Sequence, residues 1–395
     1  MKKIFILFIA IINVQLILSQ EVRLGLPVGH TGGVLSAVYS PDGKTIVTAS
    51  DDNTAKIWDS STGKLIHSLD GHTGEVFLAV FSPDSKTILT ASTDFSANIW
   101  EASTGKLLHS IEHLYGLKSA AYSPDGKTII TCDWNNATIW DLSTGKSLLS
   151  LEGRSKKVDF GSFDLSEDSS KKTKPSKIQY SNFFEKHTGP INYAAFNPDG
   201  KTVVTASSDS SAKIWNAKRN QLLHTLVGHT NVVNSAVYSP DGKTIVTASN
   251  DGTSKMWNGL NGKLILSLEG HTGKVISAIY SPDSKTILTA SDDKTAKIWD
   301  AITGKLLHSL LGHGDELYSA VYSPDGRSIV TSSGDKTSKI WDASTGKLLH
   351  TLEGHENRVY SAVFSPDSKT CLTASSDNTA KIWDATTGKL LHSLQ

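Results

Sequence analysis

A tryptophan recurs along this 395-residue chain at a nearly constant interval, and that interval defines a repeat. The spacing is 42 residues except around the third and fourth copies, where it is 40 and then 75. The eight copies are Trp58, Trp100, Trp140, Trp215, Trp257, Trp299, Trp341 and Trp383. A period of this length is typical of repeat architectures, in which stacked neighbours bury a shared core.

Within one repeat the apolar residues alternate with a period of two. In the repeat at 228–268, β-branched and aromatic residues occupy 237–239, 244–247 and 255–257, and turn residues separate these segments. Pro240 fixes φ at the second position of a tight turn between the first two segments. The pattern predicts four short antiparallel strands per unit. Such a unit cannot bury both faces alone, and arrangement around an axis gives it a neighbour on each side.

The repeats resemble the WD-repeat family, since the typical unit runs from Gly-His through Ser-Pro-Asp to Ile-Trp-Asp, with departures in some copies. The resemblance covers about residues 21–395, with a gap near 153–186, and eight such units make a specific signal. It implies an all-β fold, an eight-bladed WD-repeat β-propeller of four-stranded antiparallel blades. Seven blades extended by an extra repeat remain the alternative.

The resemblance also implies a hydrogen-bonded set of His, Ser or Thr, Asp and Trp in each blade. A buried indole or imidazole without a partner would cost roughly 1–3 kcal/mol, so the set has a structural purpose. Copies on different blades cannot converge on a metal ion. The matching residues are His30, Thr48, Asp52 and Trp58 in the first blade, and His271, Thr289, Asp293 and Trp299 in the sixth.

Three segments depart from the repeat. The third unit has Glu112-His113 in place of Gly-His and is one residue shorter over 131–136, so its set is expected to be incomplete. A low-complexity insertion at about 154–186, rich in Ser and Lys, is either a partner-binding loop or a tolerated insertion. At the ring closure, residues 22–26 resemble an outer strand and are expected to compete with 390–394 or to pair beside them.

Residues 1–19 have the layout of a signal peptide, with Lys2 and Lys3 before the apolar run 4–18. This run is shorter than the roughly 20 residues that span a bilayer. We expect cleavage before Gln20, a single propeller domain over 20–395, no membrane span after cleavage, and an extracytoplasmic location, either periplasmic or secreted. An uncleaved N-terminal membrane anchor is the alternative.

Charge and cysteine content limit the function classes. Lys plus Arg and Asp plus Glu both number 39, so the chain lacks the basic field that non-specific nucleic-acid binding requires. Cys132 and Cys371 are the two cysteines, and both fall where sister repeats carry Ala or Ile. They are predicted to be small core residues and not a disulfide framework.

Catalytic, metal and cofactor sites are not predicted. The innermost strands carry small neutral pairs such as Ser36-Ala37, where an enzyme would need converging acids, bases or nucleophiles. The recurrent Thr-Gly-Lys at 62–64 lacks the flanking residues of a phosphate-binding loop and is predicted to be a turn. His67 and its counterparts on the fourth strand are predicted to lie at a solvated rim.

In WD-repeat proteins partners often dock on the narrow top face, through residues three and five after the Gly-His histidine. Blades seven, eight, one and two are consecutive in a closed ring, so aromatic residues with a charged rim would line one arc there. The alternative is that these aromatics pack against the adjacent strand. The candidate partner-binding residues are Leu35, Glu75, Phe77, Glu316, Tyr318, Arg358 and Tyr360.

These observations predict an exported, monomeric, non-catalytic scaffold that binds a protein or peptide whose identity the sequence does not give. A propeller hydrolase or a carbohydrate-binding module is the alternative from another functional class.

Overall fold

The computed structural model describes residues 29–134, 136–151 and 186–395. In this part of the chain the structure contains 32 strands, arranged as eight four-stranded antiparallel sheets, and no helix. Each sheet uses four strands that are consecutive in sequence, so one repeat makes one blade. The predicted eight-bladed, all-β propeller is confirmed, and the alternative of seven blades with an extra repeat is excluded.

Blades one to four contain β1 to β16. Their bounds are β1 Val34–Tyr39, β2 Thr45–Ser50, β3 Ala55–Asp59, β4 Leu65–Leu69, β5 Val76–Phe81, β6 Thr87–Ser92, β7 Ser96–Glu101, β8 Leu107–Glu112, β9 Ser119–Tyr122, β10 Thr128–Cys132, β11 Ala137–Asp141, β12 Ser147–Ser150, β13 Ile191–Phe196, β14 Thr202–Ser207, β15 Ser211–Asn216 and β16 Gln221–Val227.

Blades five to eight contain β17 to β32. Their bounds are β17 Val233–Tyr238, β18 Thr244–Ser249, β19 Thr253–Asn258, β20 Leu264–Glu269, β21 Val275–Tyr280, β22 Thr286–Ser291, β23 Ala296–Asp300, β24 Leu306–Leu310, β25 Leu317–Tyr322, β26 Ser328–Ser333, β27 Ser338–Asp342, β28 Leu348–Leu352, β29 Val359–Phe364, β30 Thr370–Ser375, β31 Ala380–Asp384 and β32 Leu390–Leu394.

The Ser-Pro-Asp-Gly segments form the tight turns between the first two strands of a blade. In blade one the Gly43 N–H donates to the Ser40 carbonyl over 2.8 Å, and the Ser40 hydroxyl donates to Asp42 Oδ1 over 2.6 Å. Gly43 has φ +72°, a left-handed conformation that glycine adopts without steric cost. These turn residues therefore determine where the first strand of the blade ends and the second begins.

The hydrophobic core lies between blades and not within them. Trp100 of blade two packs with Val47 and Ile57 of blade one and with Ile88 of its own blade. The described residues form eight such clusters, one for each pair of neighbouring blades. Burial is thus spread evenly around the ring, and every blade depends on both neighbours for stability.

The ring closes by packing of blade eight against blade one. Trp58 lies in one cluster with Leu372 and Ile382, and the hydroxyl groups of Tyr39 and Thr370 are 2.9 Å apart. Blade eight is completed by its own outer strand, β32. The predicted competing strand at 22–26, the predicted signal peptide at 1–19 and nearly all of the insertion at 154–186 lie outside the described residues.

The innermost strands of the blades do not direct their alanines into the central channel. Ala37 is buried in the cluster that joins blade one to blade eight, whereas the adjacent Val38 packs toward blade two. Side chains of a strand alternate between the two faces of its sheet, and both faces of a blade are covered by neighbouring blades. Small residues such as alanine therefore occupy these positions because the blades approach each other closely near the axis.

Cys132 and Cys371 are fully buried free thiols in the clusters of blade three and blade eight. Burial raises the pKa of both thiols well above the usual range. Both cysteines are thus small core residues, as predicted. In the ranges that the structure describes, no helix is long and apolar enough to span a membrane.

The rim histidines of the fourth strands link neighbouring blades. His308 donates from Nε2 to the Ser344 carbonyl of the next blade over 2.9 Å. Equivalent bonds of 2.7–3.1 Å join His67 to Ser103, His109 to Ser143, His224 to Leu260 and His350 to Thr386. These five histidines lie at the rim, as predicted, but they are half-buried and each is bonded to the adjacent blade.

Between blades three and four the histidine position is occupied by Leu149, and the turn glycine of blade four is replaced by Asn220. A cleft of about 780 Å³ opens there, lined by Ile139, Leu149 and Phe196 among others. The corresponding cleft between blades six and seven, where His308 bonds across, measures about 460 Å³. Loss of the cross-blade bond accompanies a wider gap.

Candidate functional site

The top face carries the loops that join blades and the turn between the second and third strands of each blade. In blade one, His30 Nδ1 lies 2.8 Å from Asp52 Oδ2, and His30 Nε2 lies 2.7 Å from Thr48 Oγ1. The Trp58 indole donates to the same Thr48 oxygen over 2.8 Å. That hydroxyl therefore donates its own hydrogen to Nε2, which leaves the imidazole proton on Nδ1 facing Asp52.

Blade six repeats this geometry, with 2.8 Å between His271 and Asp293, 2.7 Å between His271 and Thr289, and 2.9 Å between Trp299 and Thr289. Burial alone would raise the pKa of the Asp293 carboxyl, but the hydrogen bonds from Thr295 and His271 outweigh it and hold this pKa at about 2. Burial lowers the pKa of His271, although Asp293 opposes the shift. The set is a neutral imidazole bonded to a carboxylate, and it holds the turn in place.

In blade three the set is incomplete. The Trp140 indole still donates to Thr131 over 2.8 Å, but His113 Nδ1 is 3.6 Å from Asp133 Oδ2. The buried His113 Nε2 has no hydrogen-bond partner among the described residues. Trp140 is half-buried, whereas its seven counterparts are almost fully buried. The missing turn residue thus loosens this blade at the top face.

Four of the candidate partner-binding residues, Leu35, Phe77, Tyr318 and Tyr360, are bulge residues. In seven blades the pairing register of the first strand shifts by one residue just after the strand begins, and the extra residues are Leu35, Phe77, Asn192, Asn234, Ile276, Tyr318 and Tyr360. A bulge leaves one residue without a cross-strand partner and re-aims its side chain. Each of these seven blades therefore has one side chain outside its ladder near the start of the first strand, and the identity of that side chain varies from blade to blade.

Blades seven and eight bring four of the candidate residues into contact. The Tyr318 and Tyr360 rings lie 5.2 Å apart, centroid to centroid, at 62°. The Tyr318 hydroxyl donates to Glu316 Oε1 over 2.8 Å and accepts from Arg358 Nη1 over 3.1 Å. Partial burial and the hydrogen bond to Glu316 raise the pKa of Tyr318 to about 12, so the phenol stays protonated at neutral pH.

The remaining candidates lie on the next two blades at equivalent positions. Leu35 is half-buried at the bulge of blade one, and Glu75 is exposed beside the bulge of blade two. Phe77 is half-buried and packs against the apolar cluster between blades two and three. Phe77 therefore fits the alternative prediction, in which the aromatic side chain packs against the adjacent strand. Tyr318 and Tyr360 instead contact each other outside the apolar clusters.

On the opposite side of the ring the bulge residues hold blades together. The Asn192 side-chain amide donates to the Val233 carbonyl over 3.0 Å, and Asn234 donates to the Val275 carbonyl over 2.8 Å. Each amide thus reaches the first strand of the following blade. Blades four and five therefore use this position to contact the following blade.

A second group of exposed apolar residues lies where blades two and three meet at the top face. We call it the blade 2–3 patch; it comprises Phe95, Leu114, Tyr115, Lys118 and Trp134. The exposed fractions are 49% for Phe95, 88% for Leu114, 46% for Tyr115 and 53% for Trp134. Sequence reasoning missed it, although a position-by-position comparison shows Phe95, Leu114 and Tyr115 where sister repeats carry small, polar or charged residues.

No group of three or more His, Cys, Asp or Glu side chains in the ranges that the structure describes could hold a metal ion. The histidines of the top face are each committed to a threonine and an aspartate of their own blade in the seven regular blades.

Known proteins resemble the chain in both sequence and fold. WD repeat-containing protein 38 of Mus musculus is 44% identical over 46 residues, which are 12% of this chain and 15% of the mouse protein. The crystal structure of the computationally designed Ika8 protein matches with a TM-score of 0.74 and 24% identity, over 90% of this chain and 97% of that chain. At this identity the similarity concerns the fold alone.

The family model described as WD domain, G-beta repeat matches eight segments that together make up most of the chain. They are residues 22–59, 63–101, 105–141, 178–216, 220–258, 262–300, 304–342 and 346–384. Each segment ends at or just after the tryptophan of its repeat. The chain therefore belongs to the WD domain, G-beta repeat family.

Proposed function

We propose that this protein is a non-catalytic scaffold that binds a protein or peptide partner on its top face, through the arc that runs over blades seven, eight, one and two. The contact group of Glu316, Tyr318, Arg358 and Tyr360 carries the proposal. It combines aromatic rings, an arginine and a carboxylate in one place. Tyr and Arg are the residue types that most often dominate the energy of protein interfaces.

The internal hydrogen bonds of this group support binding without a large ordering cost. Tyr318 is held between Glu316 and Arg358, so its ring is positioned before any partner arrives. Preorganised side chains lose less conformational entropy on binding and therefore favour affinity. Leu35 and Glu75 would extend the contact over the two following blades.

The test is co-purification of a tagged full-length protein from its native cells. Tyr318→Ala combined with Tyr360→Ala should abolish recovery of the partner and leave the melting temperature nearly unchanged. Lys44→Ala is the matched control, since Lys44 is 81% exposed on the opposite face and should leave recovery intact. A large fall in melting temperature of the double variant would show instead that the two tyrosines belong to the core.

We further propose that the protein is exported and acts as a monomer outside the cytoplasm. The basic and apolar pattern of residues 1–19 supports export. N-terminal sequencing of the protein recovered from the extracytoplasmic fraction should give Gln20 as the first residue. Light scattering during size-exclusion chromatography should give the mass of one chain, and retention of residues 1–19 in a membrane fraction would contradict the export proposal.

A further inference from the structure

The blade 2–3 patch differs from the other exposed apolar side chains of the molecule. Most of those lie in pairs on the outer strands, such as Leu306 and Leu307, where the pattern repeats from blade to blade. The patch occurs once, in the top-face loops around the irregular third blade. Repetition around the ring therefore does not account for it.

Phe95 occupies a backbone conformation that disfavours bulky side chains. Its φ is +71°, in the left-handed region. The same turn position in blades one and eight is Asn53 and Asn378, at φ +69° and +71°. Asparagine tolerates this region far better than phenylalanine. The turn imposes a positive φ on the equivalent residues of the other blades as well, which are Asn, Ser, Gly or Lys, and an aromatic side chain occurs at it in blade two.

The patch is a continuous surface built from two blades. A Cβ atom on Gly116 would lie 3.4 Å from Phe95 Cε1 and 3.8 Å from Trp134 Nε1, so this glycine backbone fits between the two rings. The His113 N–H donates to the Phe95 carbonyl over 2.9 Å, which fixes the loop of blade three to the turn of blade two. The two rings therefore present a joint surface.

Lys118 supplies a cation within this apolar surface. Its Nζ lies 5.7 Å from the centre of the Trp134 ring, and its side chain is exposed. It stands at the position that corresponds to the bulge residues of the other blades, where those blades carry no charge. Within the described ranges no carboxylate forms an ion pair with Lys118, and Asp94 faces His72. The ammonium group is available to a partner.

We propose that the blade 2–3 patch binds a peptide segment of a protein partner that combines an apolar anchor side chain with a carboxylate. Covering Leu114, Phe95 and Trp134 removes apolar surface from water, which favours binding. A partner that covers these side chains would also remove water from the Lys118 ammonium group. A desolvated ammonium group requires an opposite charge beside it. The occupant therefore brings an aspartate, a glutamate or a terminal carboxylate beside its apolar anchor.

The blade 2–3 patch lies on other blades than the Tyr318–Tyr360 pair. The proposal for the patch can therefore be wrong while the proposed binding through the two tyrosines holds, and the reverse is also true. The probe is a phage-displayed random peptide library, selected on the immobilised full-length protein, followed by anisotropy measurements with synthetic peptides of the enriched sequences. We expect enriched sequences to place Asp or Glu beside an aromatic residue or leucine. Leu114→Ser and Lys118→Glu should each weaken their binding at least tenfold, whereas Tyr360→Ala should leave it unchanged.

Phe95→Asn separates binding from folding. It should raise the thermal unfolding midpoint, because asparagine suits the left-handed turn, and it should weaken peptide binding at least fivefold. A lower midpoint would show that the ring serves the fold and would overturn the proposal. Failure to enrich any peptide, unchanged affinity in Lys118→Glu, or competition by neutral oligosaccharides that depends on Trp134 would overturn it as well.

Discussion

Arg358 reaches from blade eight to blade seven, where its Nη1 donates a hydrogen bond to the Tyr318 hydroxyl over 3.1 Å. The same hydroxyl donates to Glu316 over 2.8 Å, so a phenol bridges the two charges. Arg358 is exposed, and water competes for its donors. Exposed charged contacts contribute little to stability, with typical values of about 0–1 kcal/mol. The bridge therefore positions side chains and adds little to folding.

Arg358→Ala should accordingly change the free energy of unfolding by less than about 1 kcal/mol. It should nevertheless weaken partner binding, because Tyr318 loses one of the two contacts that orient its ring. Urea unfolding and quantitative co-purification measure the two effects. A stability loss of several kcal/mol together with normal binding would contradict the assignment of this group to the partner site.

Thr289→Val tests the hydrogen-bonded set of a regular blade. Valine keeps the shape of threonine but leaves the Trp299 indole and His271 Nε2 without their partner. Each buried unsatisfied group costs about 1–3 kcal/mol, so the two groups together should lower the free energy of unfolding by about 2–6 kcal/mol. Chemical denaturation followed by tryptophan fluorescence measures it.

Thr131→Val in blade three is the matched control. There the threonine serves Trp140, while His113 Nε2 has no partner to lose. The loss should therefore be about half of that in Thr289→Val. Equal losses in the two blades would mean that the bond to the histidine contributes nothing measurable.

The fold could be predicted because its determinants are local. The tryptophan interval, the period of two and turns such as Ser40 to Gly43 each act within one repeat, and eight copies of one unit leave little choice of architecture. The top-face candidates could be located along the chain from the repeat register, and their role in binding stays a prediction. What the sequence could not give is which of them touch, since the Tyr318–Tyr360 contact depends on the spacing between two blades.

Two features escaped prediction because they arise between repeats. The bond from His308 to the Ser344 carbonyl requires a ring orientation that the strand pattern does not encode. The blade 2–3 patch requires knowing that Phe95 and Trp134 meet around Gly116, although they are separated by a whole blade of sequence. In both cases the sequence shows the residue types but not which residues of the other blade they contact.

Stability should fall steadily as the pH is lowered. Burial lowers the pKa of His271 and of its counterparts in three other blades, so the unfolded chain, with histidine pKa values near about 6.5, takes up protons first as the pH falls. The pKa of Asp293 is about 2, against about 3.9 in an unfolded chain. Its contribution is present above about pH 4 and is lost as the pH falls toward 2.

The lowered pKa of the buried histidines and the lowered pKa of Asp293 both make the folded state less stable as the pH falls. The free energy of unfolding should therefore be greatest near neutral pH and should decrease continuously from about pH 6.5 to pH 2. Urea unfolding at a series of pH values measures this profile. His271→Gln removes one titrating group and should flatten the slope below pH 6.5. A stability maximum near pH 5 would show that the buried histidines become charged in the folded state.

His308→Ala tests the link between blades at the rim. The substitution removes the hydrogen bond to the Ser344 carbonyl, and we expect a loss of about 1 kcal/mol in the free energy of unfolding. His392→Ala is the matched control, because His392 lies at the equivalent position beside Gly63 and forms no such bond among the described residues. Urea unfolding of the two variants should therefore separate the hydrogen bond from the loss of ring packing, which both share. Equal destabilisation would show that packing against the turn glycine, and not the bond to the next blade, is what the rim histidines contribute.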